Sequence, residues 1–223
     1  MPHGMGTGMI VPTTELTELL HGYRRFREHG WKPERARWEA LKDGQQPRVM
    51  VIACSDSRVD PAQIFDVNPG EIFVVRNVAA LVPPFETAPG HHGVSAALEF
   101  AVQFLKVREI VVLGHGMCGG CQAALTQSMH GEEPGQGGFI ANWIDMLDEA
   151  REPIARELGT TGRPAERAME MAAVKVSLAN LRTFPCVQEL EKRATLTLRG
   201  AYFAISDGVL YLLDEKSGEF KAA

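Results

Sequence analysis

The chain of 223 residues predicts an α/β fold: a mostly parallel central β-sheet flanked by helices, with a C-terminal antiparallel edge hairpin. Three observations lead there. Runs at 49–53, 72–75 and 110–113 are continuously apolar rather than alternating, as strands buried on both faces are. Between the second and third, residues 95–106 carry Leu98, Ala101, Val102 and Leu105 at helical spacing, which gives the strand–helix–strand order of a parallel sheet. Near the end of the chain, 195–205 and 209–213 flank Asp207-Gly208, a hairpin turn signal.

Taken in order, residues 1–12 read as a flexible tail and 13–223 as a single α/β domain whose first part, 13–43, is a helical arm. Thr13 or Thr14 offers an N-cap hydroxyl, and Leu16, Leu19, Leu20, Tyr23 and Phe26 then form a stripe suited to a partner subunit or the sheet. Pro33 opens a second helix to about residue 42, with Trp38 and Leu41 on one side, and Asp43-Gly44 ends it. Pro61 begins a short helix, and Asn68-Pro69-Gly70 turns the chain into the second strand. Residues 81–90, with Pro83, Pro84 and Pro89, read as a loop, as does the glycine-rich 131–138; 140–158 and 165–181 are helical.

Composition narrows the function classes. The formal net charge is −5 and no Lys/Arg-rich run occurs, so the electrostatic attraction that supplies most nucleic-acid affinity is missing. No positively charged leader is present and no apolar run approaches about 18 residues, so a non-exported, cytoplasmic protein with no membrane partner is expected. Four cysteines in this length do not resemble a secreted disulfide framework, and a reducing compartment keeps thiols free for metal.

The chemistry gathers at two strand ends. The first strand delivers Cys54, and the third runs into His115-Gly116-Met117-Cys118, where a glycine-rich turn can aim an imidazole and a thiolate at one point. Two sulfurs and one imidazole suit Zn²⁺, and three protein ligands with an opening are the pattern of a catalytic rather than a structural site. Asp56, two residues beyond Cys54, can orient a nucleophile, and Arg58 can hold Asp56 by a bidentate pair that stops it from taking the metal itself. Cys118 begins a helix, so the N–H groups of Gly119 and Gly120 are expected to lower its thiol pKa and to let a small anion approach. Cys121 completes a formal C-x-x-C with Cys118, a redox pair in some proteins and a small apolar packing residue in others.

The motif Cys54-x-Asp56-x-Arg58 followed by His115-x-x-Cys118 resembles the β-class carbonic anhydrases. Val74-Val75-Arg76-Asn77-Val78-Ala79, Leu81-Val82-Pro83-Pro84 and Leu98-Glu99-Phe100-Ala101 look like the plant-type branch of that family. The resemblance implies reversible hydration of CO₂ to bicarbonate with zinc hydroxide as nucleophile, on a dimeric β-carbonic anhydrase architecture or a higher even oligomer. It implies substrate contacts from the Gln45 amide, from Gly119, and from Phe73 and Val78 as walls of an apolar slot near the dimer interface. Phe100 departs from the pattern, keeping the ring of the usual Tyr without its hydroxyl, and Val51 stands where the bicarbonate-regulated branch has Trp, which implies an open metal site. Three rivals stay in view: CS₂ or COS hydrolysis with the same ligands, a thiol-disulfide protein using Cys118 and Cys121, and a zinc or bicarbonate binder without catalysis.

Overall fold

The computed structural model describes residues 14–223; the tail expected at 1–12 and the capping position at Thr13 lie outside the described residues. Two compact units divide at Gln45. In the first, α1 (Thr14–Phe26) runs through a π-helical turn, Arg27–Trp31, toward α2 (Arg35–Leu41). The Phe26 ring meets Trp38 edge-on with centroids 5.9 Å apart, and Leu16, Leu19, Tyr23 and Phe26 are exposed.

The second unit, Gln46–Ala223, holds the sheet. Its strands are β1 (Val49–Cys54), β2 (Ile72–Asn77), β3 (Glu109–His115), β4 (Thr197–Ala204), β5 (Val209–Asp214) and β6 (Glu219–Ala222), in the order β2-β1-β3-β4-β5-β6. The first four are parallel and the last two antiparallel. β1 and the 110–113 run of β3 are apolar because both faces are covered, whereas β2 at the edge is only half-buried. The C-terminal hairpin extends outward by a strand not foreseen, β6, where Lys221 and Phe220 alternate.

Topology places the functional end. From β1 the chain passes by the short α3 (Pro61–Ile64) to β2 on one side, then crosses by α4 (Gly93–Glu99) to β3 on the other. Connections that leave β1 in opposite directions open a crevice above the carboxyl ends of β1 and β3, the place where open α/β sheets bind ligands. Ala53 is level with Leu113, so Cys54 and His115 are the last residues of their strands and end within one position of each other.

The main core lies on the face carrying Met50, Ile52, Ile110 and Val112, covered by Leu98 and Val102 from the α4 segment and by Val174, Leu178 and Leu181 from α8 (Arg163–Leu181). Each such residue fully buried contributes roughly 1.5–3 kcal/mol. α4 continues as a π-helical turn, Phe100–Leu105, and Phe73, Phe100 and Phe104 stack in a row with Phe100 and Phe104 exposed. After α5 (Gly119–Thr126), the helix expected over 140–158 divides into α6 (Gly138–Ile144) and α7 (Asp148–Leu158). The intervening 3₁₀ turn, Asp145–Leu147, has three residues per turn and so keeps Ile144 and Leu147 on the same buried side. A further helix, α9 (Pro185–Lys192), follows with Val187 buried, and Cys186 packs against the core.

α8 lies so close to β3 that a Cβ at Gly114 would meet Val174 Cγ2 at 2.6 Å. Valine in a helix has one preferred rotamer and cannot swing away. Gly114→Ala is therefore expected to destabilise the fold by about 1–3 kcal/mol, and Val174→Ala in the same chain to restore part of the loss. A chemical-denaturation double-mutant cycle measures this, and strictly additive single effects contradict the contact.

Candidate metal centre

Three donors meet above the β1–β3 crevice. The sulfurs of Cys54 and Cys118 are 3.9 Å apart, and the ligand atoms of Cys54, His115 and Cys118 all lie within 4.8 Å of one another. Zinc–sulfur bonds of about 2.3 Å at a tetrahedral angle put two sulfurs about 3.8 Å apart, so the spacing suits that ion. His115 is buried, and its Nδ1 is 2.8 Å from the Gly116 carbonyl. A carbonyl only accepts, so Nδ1 carries the proton and Nε2 presents its lone pair to the sulfurs. Among the described residues, Nε2 is the buried side-chain nitrogen or oxygen left without a hydrogen-bond partner. An orphaned imidazole nitrogen beside two thiols is a donor set that fits a divalent cation.

The electrostatics agree. The Cys54 thiol is pushed up to about 12 by its hydrogen bond with Cys118 and by burial. Cys118 is also pushed up to about 12, first by hydrogen bonding with Cys121 and also by burial. The net direction is opposite to the lowering expected from the N–H groups of Gly119 and Gly120: the backbone N–H that lowers it is that of Cys121, and the raising effects outweigh it. Ionising both sulfurs therefore calls for a positive charge between them. For His115, burial acts to lower the pKa, but the Cys54 sulfur, the Gly116 carbonyl and Asp56 outweigh it and the net direction is up.

Asp56 stands at the opening, its Oδ2 4.0 Å from His115 Nε2. Arg58 grips it in a fork, donating from Nε to Oδ1 at 2.9 Å and from NH2 to Oδ2 at 2.6 Å, and its backbone N–H adds a third bond to Oδ1 at 3.0 Å. These donors hold the carboxyl well below the usual carboxylate range, so it is ionised at any ordinary pH and both oxygens are engaged. The NH2 group also donates to the Met117 carbonyl at 3.0 Å, tying the β1 loop to the turn between the downstream ligands.

The other predicted residues divide. Gly119 starts α5, and a Cβ there would meet nothing within 4 Å, so open space lies beside the first turn. Val78 packs against the next residue, where a Cβ on Gly120 would lie 2.6 Å from its Cγ1, and its carbonyl is held by Trp143 Nε1 at 2.8 Å. Phe73 is not brought to this opening: it lies four residues before Asn77, the partner of Cys54, about 13 Å down the strand. Gln45 is exposed and closes the first unit. Arg76 was missed as part of the site, although it donates to the Cys54 carbonyl at 2.9 Å, the Asp56 carbonyl at 2.6 Å and the Asp60 carboxylate at 3.0 Å. A charged residue inside an apolar strand was the available signal.

A family model described as carbonic anhydrase matches residues 49–210. The chain is 33% identical over 195 residues to "Beta carbonic anhydrase 6, mitochondrial" of Arabidopsis thaliana, covering 86% of this chain and 65% of that one, so it spans a little under two thirds of that relative. Among solved structures, that of the β-carbonic anhydrase CcaA superposes with a TM-score of 0.86 at 30% identity, covering 95% of this chain and 93% of the other. A tetrameric β-carbonic anhydrase from Sordaria macrospora gives 0.72 at 29% identity, covering 90% and 94%.

If the fork restrains Asp56, Arg58→Ala is expected to leave a metal bound but to add a carboxylate oxygen to its coordination, because a free carboxylate beside zinc is a good ligand. X-ray absorption of the zinc-loaded variant reads this directly, and a ligand set identical to the unmutated protein's overturns the restraint.

Proposed function

The chain belongs to the β class of the carbonic anhydrase family, and from that membership we propose that it catalyses the reversible hydration of CO₂ to bicarbonate and a proton, with zinc held by Cys54, His115 and Cys118. The observation that carries the proposal is the convergence of two sulfurs and an unpartnered imidazole nitrogen beside a restrained carboxylate. When bound, the ion supplies the positive charge that makes water a usable nucleophile at moderate pH.

The chain's own groups do the rest. Asp56, kept ionised, accepts the remaining proton of the nucleophile and aims its lone pairs at the substrate carbon. Arg58 keeps Asp56 in that role rather than on the metal. CO₂ has no dipole, so the apolar wall at Val78 holds it weakly, and the open first turn at Gly119 leaves room for the anionic product. Gln45 is assigned the amide contact to a substrate oxygen on the strength of the family resemblance, to stabilise charge as it develops. Phe73 reaches an opening only from a second copy, and the exposed row of Phe100 and Phe104 beside it, with the tetrameric relative, supports assembly as a dimer or higher even oligomer. No helix among the described residues is long and apolar enough to cross a membrane. A reducing compartment such as the cytoplasm suits four unpaired thiols.

Two thiolates cancel the charge of the ion, so the nucleophile titrates above the roughly 7 of a three-imidazole site. Asp56, ionised throughout, adds no step in this range. The hydration rate constant of the zinc-loaded protein, followed by stopped flow, is therefore expected to climb between about pH 7 and 9. A flat profile contradicts the S₂N site, and faster H₂S release from CS₂ than CO₂ hydration on the same preparation replaces the substrate.

Cys121→Ser separates the redox rival. Zinc content and measurable hydration are expected to survive, because the thiol of Cys121 lies behind Cys118 in the core and its own ligation is not needed. Loss of all activity with zinc still bound favours the thiol-disulfide function.

A further inference from the structure

Met117, between the two downstream ligands, adopts a left-handed conformation (φ 57°) without being glycine. Such a conformation persists only where surrounding bonds over-determine it. Its peptide groups are gripped from opposite sides: the carbonyl by Arg58 at 3.0 Å, and the N–H by Oε1 of Glu170 at 2.7 Å.

Glu170 is 2% exposed and falls on the buried stripe of α8 among Met169, Ala173 and Val174. The further donors to its carboxylate come from two neighbours, Arg163 and the buried Tyr202. Oε1 also accepts from Arg163 NH1 at 3.0 Å, and Oε2 accepts from the Tyr202 hydroxyl at 2.7 Å and from Arg163 NH2 at 3.2 Å. The Tyr202 hydroxyl, pushed up by burial and by Glu170, stays a donor. A Cβ on Gly116 would come within 3.1 Å of that hydroxyl, so the glycines at 114 and 116 are what let α8 and β4 close behind the turn.

Resting on the assignment of Cys54, His115 and Cys118 as metal ligands, we propose that Glu170 is a positioning residue of the metal centre: a buried carboxylate, fixed by Tyr202 and Arg163, that grips the Met117 amide and so sets the separation and angle of the His115 and Cys118 donors. It touches neither metal nor substrate. Its action runs through one backbone N–H, and Arg58 holds the carbonyl of the same residue, so the turn is shared between Glu170 on the helix side and Arg58, itself paired with Asp56, on the other.

The test uses the full chain loaded with cobalt(II), whose visible bands report ligand geometry. Glu170→Gln keeps volume and one acceptor oxygen but puts an NH₂ against Tyr202 and Arg163. Shifted cobalt bands and release of cobalt to EDTA at least about tenfold faster are expected, with the far-UV circular dichroism unchanged. Tyr202→Phe is expected to give the same change, smaller. Arg182→Gln, which removes ion pairs to Glu191 and Glu215 just beyond the other end of α8, is expected to keep the unmutated spectrum and release rate. Unmutated bands and release in Glu170→Gln, or an equal shift in Arg182→Gln, overturn the proposal. If Glu170→Gln does not fold, an unmutated spectrum from Tyr202→Phe overturns it. CO₂ hydration by the unmutated zinc form is assayed alongside; its absence counts against the proposed activity alone, and the cobalt bands still decide the role of Glu170.

Discussion

Two buried sulfurs in contact, beside an imidazole nitrogen that nothing among the described residues satisfies, are the constraint around which this protein is arranged. Left alone the pocket is unfavourable: the Cys118 contact and burial push the Cys54 thiol up to about 12, the Cys121 contact and burial do the same to Cys118, and Nε2 has lost water without gaining a donor. A divalent cation relieves all three defects together, since it ionises the sulfurs and takes up the lone pair. The free energy of metal binding is therefore coupled to the stability of the crevice, and the donors can be rigid because other parts of the structure hold them in place.

That rigidity comes from the register of the sheet. Strands β1 and β3 are neighbours, parallel, and end level with each other, so Cys54 and His115 need no long loop to converge. Chain direction matters as much. β2 and β3 lie on opposite sides of β1, and the gap this leaves above the strand ends is where a third donor, Cys118, can drop in from the start of α5. Close packing behind the ligands depends on Gly114, where a side chain would collide with Val174. A left-handed Ala79 and Ala80 beside Gly120 form the wall carrying Val78, and Trp143 and Ser177 bond the carbonyls of that turn.

Local signals in the sequence were enough for what depends on them. Continuous apolar runs announced β1, β2 and β3, and the spacing of His115 and Cys118 announced a ligand pair, because each is decided within a few residues. The elements that escaped are set by distant contacts. β6 is four residues long and alternates only Phe220 against polar neighbours, so its strand character comes from pairing with β5. The break at Asp145–Leu147 follows from burying both Ile144 and Leu147, which a periodicity count over 140–158 averages away. Glu170 sat in plain view as a carboxylate on an apolar helical stripe, but its partner is an amide 53 residues upstream, and backbone groups carry no mark in a sequence. Phe73 is a different case, since the family resemblance places it at a slot near a dimer interface and the register of β2 sets it about 13 Å from the strand end within one chain.

The charged residues around the crevice follow a single rule. Asp56 is held by Arg58, Asp60 by Arg76, and Glu170 by Arg163, so each of these carboxylates has a guanidinium beside it. Arginine suits this better than lysine, because its planar fork satisfies both oxygens of Asp56 and still spares a donor for the Met117 carbonyl. A lysine would neutralise the charge at one point and leave the second oxygen free to turn toward the metal. Carboxylates compete with water for zinc, so the fourth position stays open only if every nearby carboxylate is occupied elsewhere. On the proposed zinc site, the arginines act less as stabilisers of the surface, where such pairs contribute little, than as a means of keeping one coordination position for solvent.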